Sequence, residues 1–210
     1  MRVLLAGATG LVGAQVLRRL LADARCSAVV APTRRPLPVV DARLHNPVHD
    51  FAALPLDAPW WQVDAAICAL GSTLKQAGSR EAFRQVDHGY PLLIARTVRA
   101  RGCAVFALNS AMGADAGSRF FYNRVKGETE QALIAQDWPQ LTLVRPSLLL
   151  GSRQEFRLGE RLLSGVMRWL PGKYRAIAAT TLAFALWRLA LEEGDGLRVV
   201  ESDELRRLGR

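Results

Sequence analysis

The chain has 210 residues, half of them apolar, and a formal net charge of +9. That length suits one domain with a full hydrophobic core and is short for two. The charge is almost all arginine, spread along the chain without a basic run or interleaved aromatics, which argues against a nucleic-acid surface and fits compositional bias plus an anionic ligand.

Three cysteines, Cys26, Cys68 and Cys103, sit inside apolar segments with neither a disulfide framework nor zinc spacing. They read as reduced core residues of a cytoplasmic protein. His45, His49 and His88 have no partners at ligand spacing, so no metal site is expected. The first residues superficially resemble a signal peptide, but their apolar run is short and broken by glycines. No apolar stretch is long enough to span a bilayer.

Residues 2–13, RVLLAGATGLVG, organise the rest. An apolar run from Val3 to Ala6 predicts a buried strand. Gly7, Gly10 and Gly13 follow at intervals of three, and Val12, Val16, Leu17, Leu20 and Leu21 then recur at helical spacing. Strand, glycine turn and helix form the setting of a dinucleotide fingerprint. Gly7 allows the tight turn, Gly10 lets the backbone approach a pyrophosphate, and Gly13 lets the helix pack on the strand. The free N–H groups of the first helical turn would face the phosphates. A tight strand–helix turn with no ligand is the plainer alternative.

A second strand over 28–31 ends at Pro32-Thr33-Arg34-Arg35. An NAD site places a carboxylate at this point for the ribose hydroxyl, whereas an NADP site places arginine for the 2′-phosphate. There is no Asp or Glu here, so Arg34 and Arg35 favour NADP(H) over two merely solvated loop arginines. A short strand is expected over 44–47. Asp50 follows where such folds lay the adenine, or else simply caps a turn. A buried strand over 64–70 runs into Gly71-Ser72-Thr73, a turn that would lie over the cofactor. A helix over 79–101 should kink near Pro91, and the next strand, 104–108, ends at Asn109-Ser110.

Twelve residues later comes Tyr122-Asn123-Arg124-Val125-Lys126, on a predicted helix over 119–136. Tyr122 and Lys126, at i and i+4, share one helical face. A phenol is a poor acid–base group at neutral pH, but a neighbouring ammonium favours the phenolate. Tyr122 would then exchange a proton with a substrate oxygen, Ser110 would hydrogen-bond the same oxygen, and Lys126 would also hold the nicotinamide ribose. A surface Tyr–Lys pair is the common alternative for such spacing. Its position downstream of a glycine fingerprint and a serine at a strand end favours a cofactor-linked site.

The succession GATGLVG, CALGST, NSAMGA, YNRVKGETE and VRPSLLLG resembles the atypical branch of the short-chain dehydrogenase/reductase superfamily, most nearly its Tat-interacting-protein-like NAD(P)H-binding members, over residues 1–152. The resemblance implies a doubly wound, mostly parallel α/β sheet, with Gly7, Thr9, Gly10, Leu11, Val12 and Gly13 around the pyrophosphate. It further implies Arg34 and Arg35 at the 2′-phosphate, Asp50, Leu70, Gly71 and Ser72 along the adenosine half, and Ser110, Tyr122 and Lys126 as the catalytic triad. One departure stands out. Many members have an asparagine that bridges to the lysine through water, whereas this chain reads QVDHGYP, with Asp87 the nearest polar residue.

Beyond that stretch, 141–150 reads as a strand whose Arg145-Pro146-Ser147 step passes near the nicotinamide, with Ser147 lining the site or simply serving a turn, and 151–171 as a loop and an apolar helix. Arg153, Arg157 and Arg161 would there contact an acidic substrate or simply form solvated salt bridges. An amphipathic helix over 180–193 would be capped by Thr180 or Thr181 and stopped at Gly194. Residues 197–200 would add an edge strand. The whole is expected to be a single domain, with a cofactor core at 1–152 and a small substrate-side section at 153–193, as a monomer or homodimer. Its partner would be a small-molecule carbonyl or alcohol. The alternative is an NADPH-sensing regulatory or scaffold protein with little or no turnover.

Overall fold

The computed structural model describes residues 1–150 and 175–209. Strands β1 (Arg2–Ala6), β2 (Ala28–Val30), β3 (Leu44–His45), β4 (Ala65–Cys68), β5 (Val105–Asn109), β6 (Gln140–Arg145) and β9 (Gly196–Glu201) form one sheet in the order β3-β2-β1-β4-β5-β6-β9. Every neighbouring pair is parallel. The order runs outward in one direction from β1 and in the other from β4, so the switch point lies between them. Open sheets of this kind bind ligands outside the carboxyl ends of the strands at that point.

Alternation along β1 explains the layering. Val3 and Leu5 face helix α1 (Leu11–Ala22), meeting Val16, Leu17 and Leu20, and also Leu182 and Leu186 of a later helix, α6 (Ala179–Leu191). Leu4 and Ala6 face the other layer, with Trp61, Ile94, Val98 and Leu133. Both faces of a parallel sheet are covered, so its strands read as continuous apolar runs rather than alternating ones. Each such aliphatic side chain contributes about 1.5–3 kcal/mol by leaving water.

Between β4 and β5 lie α2 (Leu74–Ala77), α3 (Arg80–Arg84), a π-helical turn (Gln85–Gly89) and α4 (Tyr90–Arg99). The irregularity expected at Pro91 therefore sits one turn earlier. The Tyr90 N–H donates to Gln85 O, a five-residue step, and this wider turn precedes Pro91, the residue that lacks an N–H of its own. Helix α5 (Phe121–Ile134) follows β5.

The strand expected over 141–150 is split. β6 stops at Arg145, Pro146 cannot donate to a ladder, and Leu149–Leu150 form β7 of a separate two-stranded sheet with β8 (Ile177–Ala178). That pairing holds Ala178 extended as the N-cap of α6, so Thr180 and Thr181 lie inside the first turn and do not cap it. The edge strand is found as β9, parallel to β6. Helix α7 (Ser202–Leu208), which follows it and buries Leu205, is an addition to the elements read from sequence. The expected helix over 151–171, with Arg153, Arg157 and Arg161, lies outside the described residues.

Candidate cofactor and catalytic site

The glycine turn is built as its spacing requires. Gly7 has φ +91°, and a Cβ there would lie 2.7 Å from the Ala69 carbonyl carbon. A Cβ on Gly13 would lie 2.0 Å from Gly7 O, so β1 and α1 can approach this closely only with hydrogen at that position. Gly13→Ala is therefore expected to destabilise the fold by about 1–3 kcal/mol or more, lowering Tm by several degrees in a thermal melt. An unchanged Tm would contradict this packing. Helix α1 begins at N-cap Gly10, with no side-chain cap and no acidic residue in its first turn. The start of the helix thus offers its N–H groups and positive dipole end to whatever lies beyond it.

A cavity of about 570 Å³ lies there. Its walls come from four loops at the carboxyl ends of strands: Gly10 to Val12 after β1, Gly71 to Thr73 after β4, Asn109 to Met112 after β5, and Pro146 to Leu149 after β6. Tyr122 and Lys126 of α5, together with Asp87, complete it. The serine, the phenol and the ammonium, about a hundred residues downstream of the start of α1, border one space with it. Other residues singled out from sequence stand apart from it. Thr9 is exposed, and Leu70 packs against the core layer of β4. Arg34 and Arg35 are exposed on the loop after β2, which is pinned where the Thr33 hydroxyl donates to Arg35 O at 2.7 Å. Asp50 caps a short 3-10 turn (Phe51–Ala53), accepting from Ala52 N at 3.0 Å. Its capping role is realised.

Lys126 is buried, and its Nζ lies 2.7 Å from Asp87 Oδ1. The other carboxylate oxygen of Asp87 accepts from both the backbone N–H and the hydroxyl of Ser72, each at 2.9 Å. The Thr129 hydroxyl holds the π turn against α5, lying 3.0 Å from Asp87 O and 2.7 Å from Val125 O. Burial pushes the Lys126 ammonium down, but Asp87, Tyr122 and Cys68 outweigh it, and the net shift is upward. Asp87 therefore does not reproduce the water-bridged relay of an asparagine. It grips the lysine directly.

Ser110, also buried, has its Oγ 2.5 Å from Glu130 Oε1. A carboxylate has no proton to give, so the serine donates and turns its lone pairs elsewhere. Arg145 clamps Glu130 in a forked pair, with Nη2 2.6 Å from Oε2 and Nε 3.1 Å from Oε1. Its Nη1 reaches Glu201 Oε1 at 3.0 Å. The two carboxylates hold the guanidinium pKa above its ordinary value, against the opposing effect of burial. Ser147 lines the cavity and donates to Arg175 O at 2.5 Å. Glu130 and its pairing with Arg145 escaped the sequence reading, because a glutamate and an arginine fifteen positions apart look like solvated charges. The one signal was their position, with Glu130 four residues after Lys126 and Arg145 at a strand end.

Protein HTATIP2 of Rattus norvegicus is 33% identical over 216 residues, spanning 99% of this chain and 89% of that protein. The chain belongs to the atypical short-chain dehydrogenase/reductase branch. Within this branch it is also similar to "Protein FMP52, mitochondrial" of Eremothecium gossypii, 34% identical over 160 residues, 76% of this chain and 71% of that protein. No family model matches the chain. Among solved structures, MoeE5 in complex with UDP-glucose and NAD superposes with a TM-score of 0.73 at 16% identity, covering 100% of this chain and 81% of that one. UDP-glucuronic acid 4-epimerase from Bacillus cereus in complex with NAD gives 0.72 at 12% identity, covering 97% and 78%. At such identities these likenesses establish the shared fold. An NAD(P)-binding Rossmann domain of the atypical branch is thus the frame in which the cavity sits. No helix among the described residues is long and apolar enough to cross a membrane.

Proposed function

We propose that this atypical short-chain dehydrogenase/reductase is an NADP(H)-dependent oxidoreductase acting on a small carbonyl or alcohol, with Tyr122 as general acid–base. One observation carries the reading: Ser110, Tyr122 and Lys126 border the same cavity as the uncapped start of α1. The cavity suits a dinucleotide. Gly10 brings no side chain to the α1 end, and loops from four strands wall the cavity over the switch point. Leu11, Val12 and Gly13 would hold the pyrophosphate by their N–H groups, Gly71 and Ser72 the adenosine half, and Lys126 the nicotinamide ribose. Bound nicotinamide supplies or accepts the hydride. Tyr122 gives its phenolic proton to the substrate oxygen in reduction and takes one back in oxidation. Ser110 orients that oxygen, and in its resting geometry it offers a lone pair, which suits an alcohol hydroxyl. A screen of aldehydes, ketones and quinones with NADPH tests the proposal. Cofactor consumption with at least one class supports it, and none with any would contradict it.

The choice of NADP(H) rests on Arg34 and Arg35 beyond β2, with no carboxylate among residues 32–35. A charge-assisted pair to the 2′-phosphate contributes about 1.5–3 kcal/mol, so NADPH is expected to bind about 10- to 100-fold more tightly than NADH. Arg34→Ala should narrow that gap in a fluorescence titration. Equal dissociation constants for the two nucleotides in the unmutated protein would contradict the assignment. Three buried free thiols fit a reducing compartment, the cytoplasm in this reading. The fungal relatives are named as mitochondrial proteins.

The pairing of Lys126 with Asp87 favours a second reading, in which the nucleotide is sensed and not turned over. It predicts a protein partner captured with NADPH present and not without it. Capture indifferent to the nucleotide would remove this reading.

A further inference from the structure

Lys126 has two tasks in the reading above: to hold a ribose and to favour the phenolate of Tyr122. The second depends on its being a free positive charge. It is not free in this structure. Asp87 lies at 2.7 Å, and Ser72 fixes that carboxylate from the far side with two hydrogen bonds. The side chains of Lys126 and Asp87 are only 5% and 0% exposed, so solvent does little to screen their attraction. Seen from Tyr122, the pair is a dipole with little net charge, and its field falls off faster than that of a lone ammonium.

Two further ionisable groups stand beside the pair among the described residues, Cys68 and His88. Tyr122 faces Lys126 from its own helix, and Cys68 faces it from β4. The Cys68 thiol is pushed up to about 11 by burial, so it is neutral over the ordinary pH range. His88, next to Asp87 on the π turn, has its pKa lowered by burial and by Arg84, and its Nδ1 lies 3.1 Å from Thr129 Oγ1 on α5.

We propose that Asp87 is a positioning residue that fixes the Lys126 ammonium at the cavity wall and offsets its field at Tyr122. The π turn is the device that delivers it. One extra residue in that turn, tied to α5 by Thr129, sets Asp87 opposite Lys126. The consequence is a site whose phenol–phenolate balance is governed by a neutral pair. Proton removal from an alcohol by Tyr122 is then favoured by alkaline conditions, and replacing Asp87 by its neutral isostere frees the lysine field.

This inference rests on the proposed role of Tyr122 for its meaning, but its test needs neither substrate nor cofactor. Near-ultraviolet absorbance of tyrosinate is followed against pH in the unmutated protein, Asp87→Asn, Tyr122→Phe and the double variant. There are three tyrosines, so the difference between variants with and without Tyr122 isolates its phenol. In Asp87→Asn the Tyr122 component should develop at a pH lower by about 1 or more, the order of effect of a nearby uncompensated cation one helical turn away. The low-pH component should vanish in Asp87→Asn/Tyr122→Phe. A folded Asp87→Asn whose Tyr122 component develops at the same pH as in the unmutated protein overturns the proposal. If Asp87→Asn does not fold, Asp87→Asn/Lys126→Met replaces a neutral pair by a neutral pair. Its tyrosinate absorbance should develop within about half a pH unit of the unmutated protein. A clearly higher pH would show that the lysine field had been reaching Tyr122, and that also overturns the proposal. Failure of every substrate in the NADPH screen, with the Asp87→Asn shift intact, would count against the enzyme reading and leave the role of Asp87 standing.

Discussion

Tyr122→Phe is expected to lower turnover by about 10²- to 10⁴-fold while leaving the nucleotide affinity within a few-fold of the unmutated protein. The phenol is half-buried at the cavity wall, and its ring lies 5.5 Å from that of Phe83. Phenylalanine keeps this aromatic packing and removes only the oxygen. The α1 end and the Ser72 loop, which carry the phosphate and adenosine contacts in this reading, are untouched. Steady-state rates and a nucleotide titration on the same preparation check both halves of the expectation. A variant with an undiminished rate would remove Tyr122 from the chemistry. Lost affinity with the rate otherwise intact would mean that it serves binding.

The second large effect is on stability. Lys126→Met leaves Asp87 buried beside an apolar side chain, with Ser72 the one partner left to its side-chain carboxylate among the described residues. Breaking a buried ion pair from one side costs about 3–5 kcal/mol, much more than the pair itself contributes to folding. For a chain of this size that is about 10 °C in Tm. Adding Asp87→Asn removes the stranded charge and should restore most of the loss. The sign of the pH dependence follows from Lys126. Its folded pKa is raised above the unfolded value, near 10.4, so its contribution is fully present below that value and is lost as pH rises through the folded one. The gap between the unmutated protein and Lys126→Met should be nearly constant from neutrality to about pH 10 and narrow in stronger alkali. A Tm unchanged by Lys126→Met at neutral pH would contradict the buried pair.

The legible parts of the chain were those where one residue type answers to one geometric demand. Gly7 and Gly13 are needed where β1 and α1 touch, and the apolar runs of β1, β4 and β5 are needed in a sheet covered on both faces. Tyr122 and Lys126 were legible as a pair because helical spacing puts i and i+4 together. Asp87 was visible as a departure, but not its partner. Its approach to Lys126 depends on a π turn, and nothing in QVDHG distinguishes that from ordinary helix. The pairing of Glu130 with Arg145 was hidden because it exists only across α5 and β6. The N-cap of α6 was misplaced from Thr180 or Thr181 because strand pairing at Ile177–Ala178, a tertiary feature, overrides a local capping preference. Helix α7 has few apolar residues and is held by burial of Leu205, so its periodicity is faint.

A crystal structure with NADPH bound tests the account most directly. The pyrophosphate should rest on the N–H groups of Leu11 to Gly13, and the nicotinamide should lie between Tyr122 and Ser147 with open space on its reactive face. The 2′-phosphate should meet Arg34 or Arg35. A nucleotide bound elsewhere, or one whose nicotinamide points away from the Tyr122 hydroxyl, would contradict the enzyme and leave only the fold.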